Sequence, residues 1–167
     1  MFYLKKFKNR YIPIRKKYKI VIWEICSLLF FRSKISILNY SSKSWILRRF
    51  GAKIGDKLVI KRDVHIKSPW ELQIGDNVWI GEKVWIDNIS MIKIGSNVCI
   101  SQGVQMNSGN HDYKKEDFEL ISSPINISSN VWIGCFSVIL PGSNIASNLM
   151  ISGGSIFPKN YESRKIL

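Results

Sequence analysis

The chain has 167 residues, of which 46% are apolar, so it is long enough for one domain with a sizeable core. Its formal net charge of +13 favours anionic partners, namely phosphate groups, an acidic bilayer surface or nucleic acid. The three cysteines, Cys26, Cys99 and Cys135, are odd in number and lack metal-ligand spacing. This argues against a disulfide framework or a cysteine metal site and predicts reduced thiols in the cytoplasm.

The positive charge is concentrated in a basic N-terminal segment, which we place at residues 1–50. Residues 1–62 hold 17 of the 25 Lys and Arg residues against two acidic residues, Glu24 and Asp56. The apolar run IVIWEICSLLFF at 20–31 is only twelve residues long, whereas spanning a bilayer takes about twenty. We expect this run to form an amphipathic helix that packs on the body of the protein or lies on an anionic membrane surface. No small-residue cleavage site follows it, which argues against a signal peptide.

From position 54 onward an aliphatic residue returns every six positions, with two extra residues after each third step in the first half. A second apolar or small residue tends to follow each one four positions later. Positions i and i+4 point to one side of an extended chain, so both series would face a common interior. The six-residue series is Ile54, Ile60, Ile66, Ile74, Ile80, Ile86, Ile94, Ile100, Met106, Ile127, Ile133, Ile139, Ile145, Ile151 and Phe157.

Turn-forming residues separate the two series, as in GDNV (75–78), GSNV (95–98) and SSNV (128–131). Gly, Ser and Asn tolerate the positive φ that a sharp corner needs. Neither the 3.6-residue period of a helix nor an uninterrupted strand fits corners at this spacing. The pattern therefore predicts an all-β domain at residues 51–160, built as a β-helix whose stacked coils bury one interior. Its two ends need caps, for which the helical front segment and the chain after Pro158 are the candidates.

The six-residue series stops at Met106 and resumes at Ile127, so residues 107–123 are predicted to leave the coil as an extruded loop. This loop contains SGNHDY at 108–113, in which His111 lies among glycine and polar residues. Loops held by a rigid scaffold often carry function, and histidine titrates near neutral pH, which suits a general base. The residues alone leave a catalytic and a structural histidine both open.

The chain resembles the hexapeptide-repeat acetyltransferases over about residues 20–160, and within them the acetyltransferases of colanic-acid and other exopolysaccharide biosynthesis. The repeat itself indicates only the fold, whereas the HDY loop together with PWELQIG and VWIG is more specific. The segments that carry the resemblance are LRRFGAKIG (47–55), SPWELQIGDNVWIGEKVWI (68–86), IKIGSNVCISQGV (92–104), NSGNHDY (107–113), FELISSPINI (118–127) and NVWIGCFSVILPGSNI (130–145).

This resemblance implies a left-handed parallel β-helix assembled as a homotrimer, with acetyl-CoA bound between neighbouring subunits. It also implies an O-acetyltransferase that acts on a sugar hydroxyl in exopolysaccharide, capsule or lipopolysaccharide biosynthesis, with a free or lipid-linked saccharide as acceptor. No metal is expected, because a zinc hydratase on this architecture needs three histidine ligands and the chain has only His65 and His111. No nucleic acid is expected either, because such a module would need aromatic or Arg residues spaced on one face, whereas the Lys-rich front is more typical of a tether to an anionic surface.

His111 matches the family's catalytic histidine and would take the proton of the attacking hydroxyl. Asp112 and Asn107 would orient its ring or grip the acceptor, although Asp112 is equally suited to cap a turn. Asp87 and Asn88, which interrupt the aliphatic run, would contact the sugar or form a polar corner. The implied acceptor contacts are thus Asp87, Asn88, Asn107 and Asp112, and the implied CoA contacts are Trp132, Gly134, Cys135, Ser152, Gly153 and Lys159.

Two features depart from the family. Pro158 stands where the family usually carries threonine, which removes a hydroxyl and a backbone donor, and the short tail at 161–167 lacks the usual Gly-Asn-Pro-Ala-Lys sequence. Lys159 is retained as a charge for a CoA phosphate. Cys135 has no base beside it, so we interpret it as a small thiol and not a nucleophile. A catalytically weakened or non-catalytic scaffold protein therefore stays open as the alternative function.

Overall fold

A computed structural model describes residues 17–33 and 38–157 of the chain, in which two helices precede a parallel β-helix. The helices are α1 (Lys17–Phe30) and α2 (Tyr40–Arg49), and a 3-10 turn lies at Pro69–Glu71. The strands are β1 (Lys53–Ile54), β2 (Val59–Ile60), β3 (His65–Ile66), β4 (Leu72–Ile74), β5 (Trp79–Ile80), β6 (Trp85–Asp87), β7 (Ile92–Ile94), β8 (Cys99–Ile100), β9 (Gln105–Asn107), β10 (Gly109–His111), β11 (Leu120–Ser122), β12 (Ile125–Ile127), β13 (Val131–Ile133), β14 (Val138–Ile139), β15 (Asn144–Ile145), β16 (Leu149–Ile151) and β17 (Ile156–Phe157).

The strands stack into three parallel sheets of five strands, which form the three faces of the β-helix. Face 1 has the strand order β1-β4-β7-β12-β15, face 2 the order β2-β5-β8-β13-β16, and face 3 the order β3-β6-β9-β14-β17. The register places residues 20 apart side by side in the first coils, so that Ile54 pairs with Ile74 and Ile60 with Ile80. The six-residue repeat of the sequence thus becomes three ladders of aliphatic side chains, one on each face.

These ladders form the core, as the sequence predicts. Every residue of the six-residue series is buried except Ile54, which is half-buried in the first coil. Removing one such side chain from water contributes about 1.5 to 3 kcal/mol, and each coil gains this only because another coil or a cap covers it.

The corners between faces 1 and 2 contain asparagines in the left-handed backbone conformation. Asn77, Asn97 and Asn130 have φ angles of 55°, 57° and 60°, which confirms the turn chemistry expected from the sequence. Their side chains also form a ladder, because Nδ2 of Asn77 donates to Oδ1 of Asn97 at 3.2 Å, and Asn97 donates to Asn130 at the same distance. Each asparagine therefore both turns the chain and links neighbouring coils.

The two helices cap the N-terminal end of the β-helix. The indole Nε1 of Trp23 donates to the Ile66 carbonyl at 2.8 Å, and Nζ of the fully buried Lys43 donates to the carbonyls of Ile60 and Lys61 at 3.1 Å. These bonds satisfy first-coil acceptors that no preceding coil can reach. Burial lowers the pKa of Lys43, because the charged ammonium is costly to desolvate.

The predicted N-terminal helix is thus confirmed as α1, and one side of it packs on the coil. No helix within 17–33 and 38–157 is long and apolar enough to cross a bilayer. The domain limits at residues 50 and 160 stay predictions. Lys159 and the tail at 161–167 lie outside the described residues.

Candidate functional site

The chain between β9 and β12 leaves the coil as an antiparallel hairpin rather than an irregular loop. Strands β10 and β11 pair so that Gly109 faces Ser122 and His111 faces Leu120. The hairpin is fixed at its base by Ser108, whose carbonyl accepts from Ser123 N at 2.9 Å and whose buried hydroxyl accepts from Ser90 N of the preceding coil at 2.8 Å. His111 is therefore held on a hydrogen-bonded element that projects from the edge of face 3.

Phe118 holds the ring of His111 in two ways. The two rings stack in parallel with 4.4 Å between their centroids, and Nδ1 of His111 lies 2.8 Å from the Phe118 carbonyl oxygen. A carbonyl can only accept, so this contact requires the proton on Nδ1 and leaves Nε2 unprotonated in the neutral ring. This is the tautomer that a general base of this geometry needs.

Asp112 caps the turn of the hairpin. Its Oδ1 accepts from the Lys114 backbone N–H at 3.0 Å, and its own N–H donates to the Glu119 carbonyl at 2.9 Å. Of the two roles that the sequence left open, the structure shows the capping one. A contact between Asp112 and the acceptor stays a prediction.

Asp87 and Asn107 lie side by side where the hairpin leaves the coil. They are register partners at the ends of β6 and β9, and the Ser108 N–H donates to the Asp87 carbonyl at 3.1 Å. Their neighbour is Lys67, which the sequence pattern did not single out and whose Nζ lies 2.7 Å from Oδ1 of Asp87. The signal was present, because Lys67 precedes Asp87 by the 20-residue step of the coils. The structure thus brings a carboxylate, an amide and an ammonium group to the base of the hairpin.

For Asn88 the structure shows the polar-corner role, one of the two that the sequence left open. The structure buries its side chain completely, where Oδ1 accepts from Ser68 N at 2.9 Å and Nδ2 donates to the carbonyls of Ser68 and Glu71 at 2.6 and 2.9 Å. These three bonds satisfy the backbone of the 3-10 turn and leave no exposed surface for a sugar. Asn88 therefore supports the corner rather than contacting the acceptor.

The residues predicted to contact CoA lie at the corner between faces 2 and 3. A Cβ atom on Gly134 would lie 2.4 Å from Gly153 N, so glycine is needed there for adjacent coils to approach. Ser152 and Gly153 are exposed, and Cys135 is half-buried with a free thiol. The exposed Trp132 indole stands beside this corner and donates from Nε1 to Ser101 Oγ at 2.9 Å. The corner combines these small residues with two exposed aromatic rings, those of Trp132 and Phe136.

Within one chain, the strands of face 3 separate this corner from the base of the hairpin. Cys135 precedes β14, whereas the hairpin follows the end of its neighbour β9. Crossing the face takes about five residues, which is roughly 16 Å at about 3.3 Å per residue. The structure thus places Asp87 and Asn107 at one edge of this face, and the predicted CoA residues that belong to the described part of the chain at the other edge.

His65 lies on face 3 apart from the hairpin. Its ring stacks on Trp85 with 3.9 Å between centroids, and Nδ1 is buried without a hydrogen-bond partner among the described residues. Burial lowers the pKa of His65, and the positive charge of Arg32 lowers it further. No group of three or more His, Cys, Asp or Glu residues that could hold a metal ion occurs in the described chain.

The chain is similar in sequence to proteins named as acetyltransferases. No protein-family model matches the chain. The chain is 31% identical over 137 residues to an Escherichia coli (strain K12) protein provisionally named as the colanic acid biosynthesis acetyltransferase WcaF, which covers 82% of this chain and 75% of the relative. It is 30% identical over 118 residues to the galactoside O-acetyltransferase of the same strain, which covers 69% and 58% of the two chains.

Solved structures show the same fold. A maltose O-acetyltransferase from Clostridium difficile 630 superposes with a TM-score of 0.75 at 24% identity, covering 89% of this chain and 81% of that one. The hexapeptide-repeat acetyltransferase VCA0836 of Vibrio cholerae O1 biovar eltor, solved with acetyl-CoA, superposes with a TM-score of 0.76 at 22% identity, covering 92% and 85%. The predicted left-handed β-helix is thereby confirmed. By its sequence identity to these relatives and by its fold, the chain belongs to the hexapeptide-repeat acetyltransferases.

Proposed function

We propose that the protein transfers the acetyl group of acetyl-CoA to a hydroxyl of a saccharide used in exopolysaccharide assembly, with His111 as the general base. The observation that carries this proposal is the 2.8 Å contact between Nδ1 of His111 and the Phe118 carbonyl, which leaves Nε2 as the proton acceptor. The name of the Escherichia coli relative supports a saccharide of polysaccharide biosynthesis as the acceptor.

In this mechanism Nε2 of His111 accepts the proton of the sugar hydroxyl while the oxygen attacks the thioester carbonyl carbon. The tetrahedral adduct then collapses, the carbon–sulfur bond breaks, and the CoA thiolate leaves. The imidazolium returns its proton to the thiolate, so that the acetyl ester, free CoA and neutral His111 result. Base catalysis of this kind contributes about 10²- to 10⁴-fold to the rate.

The corner between faces 2 and 3 is our proposed site for the pantetheine arm of CoA. Trp132 would form its wall, and Gly134, Cys135, Ser152 and Gly153 would line it through backbone groups. The exposed, small side chains at this corner support the assignment, because they leave room for an extended ligand against the coil. Lys159 is proposed to pair with a CoA phosphate.

For the acceptor we propose contacts from Asp87 and Asn107 at the base of the hairpin, with Lys67 holding the Asp87 carboxylate. A carboxylate and an amide side by side can accept from and donate to neighbouring sugar hydroxyls. The acceptor is a free or lipid-linked saccharide. Three free cysteines support a reducing compartment such as the cytoplasm.

A homotrimer would bring the two sets of residues together. Since the hairpin and the CoA corner lie at opposite edges of face 3, a neighbouring copy can place its hairpin at the corner of the first. The outer surfaces of faces 2 and 3 carry Trp79, Trp132 and Trp85, each 44 to 52% exposed. Exposed aromatic rings of this kind are typical of protein interfaces, and a head-to-tail contact closes into a ring of three.

The experiment is to incubate the protein with acetyl-CoA and a panel of sugars, nucleotide sugars and lipid-linked oligosaccharides, and to measure CoA release. His111→Ala is expected to abolish transfer while unfolding and trimer mass stay nearly unchanged. The matched control is His65→Ala, which removes the other histidine and should keep transfer measurable. Full turnover by His111→Ala would refute the assignment. If no acceptor in the panel causes CoA release and the protein does not bind CoA, the non-catalytic scaffold is favoured.

A further inference from the structure

Helix α1 presents an apolar face that is about half exposed in the described chain. Tyr18, Val21, Ile22, Ile25, Leu28 and Leu29 are 49 to 59% exposed. At 100° per residue these six side chains fall within an arc of about 120°. Trp23 and Ser27, the two buried residues of the helix, lie on the opposite side and face the first coil. A helix that is apolar on both sides requires a second partner on its outer side.

The neighbouring surface extends this face. The Trp45 side chain of α2 is exposed, and the Arg49 guanidinium lies 5.1 Å from the centre of its ring. Between α1 and α2 lies an open groove of about 1000 Å³, which Ile22, Cys26 and Trp45 help to line. The apolar face and the groove meet at Ile22, so the cap offers one continuous apolar surface with an aromatic ring and a cation at its side.

The distribution of charge along the chain favours an anionic partner for this apolar surface. Residues 1–62 carry 17 cations and two anions, a net charge of +15, whereas residues 63–167 carry 8 cations and 10 anions, a net charge of −2. Exposed Lys17, Lys19 and Arg32 flank the ends of α1 itself. A second copy of this surface would bring the same exposed Lys17, Lys19 and Arg32 and be repelled, whereas an anionic lipid surface attracts it.

We propose that the outer face of α1 docks on an anionic membrane surface, with the helix lying in the plane of the headgroups. The helix is too short to cross a bilayer, but an apolar stripe with flanking Lys and Arg residues suits interfacial binding. This places the enzyme where a lipid-linked saccharide is presented. Under the proposed trimer, cyclic symmetry sets all three copies of α1 at one height along the axis, so that one plane can contact all of them.

The test is flotation of the full chain with vesicles of phosphatidylcholine containing about 30% phosphatidylglycerol, compared with pure phosphatidylcholine. We expect binding to the anionic vesicles at about 0.05 M salt and its loss at about 0.5 M salt, where the Debye length is only a few ångströms. Val21→Ser together with Ile25→Ser removes apolar surface without changing charge, and the partition coefficient is expected to fall about tenfold or more. The matched control is Met150→Ser together with Ile156→Ser, exposed residues near the other end of the β-helix.

Three outcomes would overturn the proposal: no flotation with anionic vesicles at low salt, equal flotation with neutral vesicles, or equal loss in the control pair. If the α1 variant lowers the mass of the assembly and leaves flotation unchanged, a second copy covers this face instead. CoA release with a water-soluble acceptor is measured on the same variants. It should be unchanged, which separates failure of membrane docking from failure of the proposed chemistry.

Discussion

Two glycines on adjacent coils, Gly134 and Gly153, are expected to respond very differently to the same added methyl group. A Cβ on Gly134 would lie 2.4 Å from Gly153 N and 2.7 Å from the Ile151 carbonyl, both of which are backbone atoms. Since ordinary contacts begin near 3.4 Å, the two coils must separate there by about 1 Å. A Cβ on Gly153 would meet Cys135 O at 3.1 Å and Sγ at 3.3 Å, which needs a shift of only a few tenths of an ångström.

For Gly134→Ala, overpacking costs about 1 to 3 kcal/mol, and weakening the 2.8 Å bond from Gly134 N to the Ile151 carbonyl adds about 1 kcal/mol. Alanine also lowers the entropy of the unfolded chain, which stabilises the folded state by about 0.4 to 1 kcal/mol. We therefore expect the free energy of unfolding to fall by about 1 to 3 kcal/mol. For Gly153→Ala the same entropy gain nearly offsets the small shift, and we expect a change within about 0.5 kcal/mol.

The assay is urea unfolding followed by circular dichroism, with both variants and the wild type at one protein concentration. A lower midpoint for Gly134→Ala at unchanged slope, with Gly153→Ala close to wild type, is the expected result. Equal midpoints for the two variants would refute the close approach of the coils at this corner.

Three further predictions concern face 3 and the hairpin at its edge. Asn88→Ala should destabilise the protein by about 2 to 4 kcal/mol in the same assay, because it leaves buried groups of Ser68 without partners; a loss below about 0.5 kcal/mol would contradict this. The pKa of His65 is lowered in the folded protein, so as the pH falls the unfolded chain takes up this proton before the folded chain does. The free energy of unfolding should therefore be highest above about pH 6.5 and should decrease as the pH drops below that value. His65→Gln should flatten this pH dependence, and an unchanged slope would exclude it as the source. Phe118→Ala removes the ring that stacks on His111 and should lower kcat about tenfold with little change in the KM for acetyl-CoA, whereas a pure KM effect would exclude a positioning role.

Most of the fold could be predicted from the sequence, because every six-residue unit of the repeat places its apolar side chains and its corner in the same way. The spacing from Ile54 to Phe157 determines which side chains point inward, and the GSNV-type corners supply the positive φ angles. The break after Met106 predicted an excursion, but not its pairing into β10 and β11. That hairpin depends on contacts such as the one between Ser108 and Ser123, which no local pattern shows.

The candidate site could be predicted only in part. Resemblance selected His111, but the tautomer depends on the Phe118 carbonyl seven residues away. The sequence left two roles open for Asn88, because a polar residue after an aliphatic run has the same sequence signature whether it faces solvent or satisfies a buried turn. Lys67 was missed because its role depends on the stacking of coils, which brings it to Asp87.

The buried Lys43 shows the same limit. In the sequence it is one of many cations in a basic segment, and its surroundings do not distinguish it from the others. In the structure its ammonium group satisfies two carbonyls of the first coil, which only the packing of α2 on that coil makes reachable.

The most direct test of a shared site is to mix two variants that are each expected to be inactive, His111→Ala and Gly153→Trp. The tryptophan side chain is expected to block the corner proposed for CoA. If each site combines a hairpin from one copy with a corner from the next, random mixing in equal amounts restores about a quarter of the sites, since half of the hairpins and half of the corners are intact. Recovery of about a quarter of wild-type CoA release is the predicted result. No recovery in trimers shown by mass to be mixed would contradict the shared site.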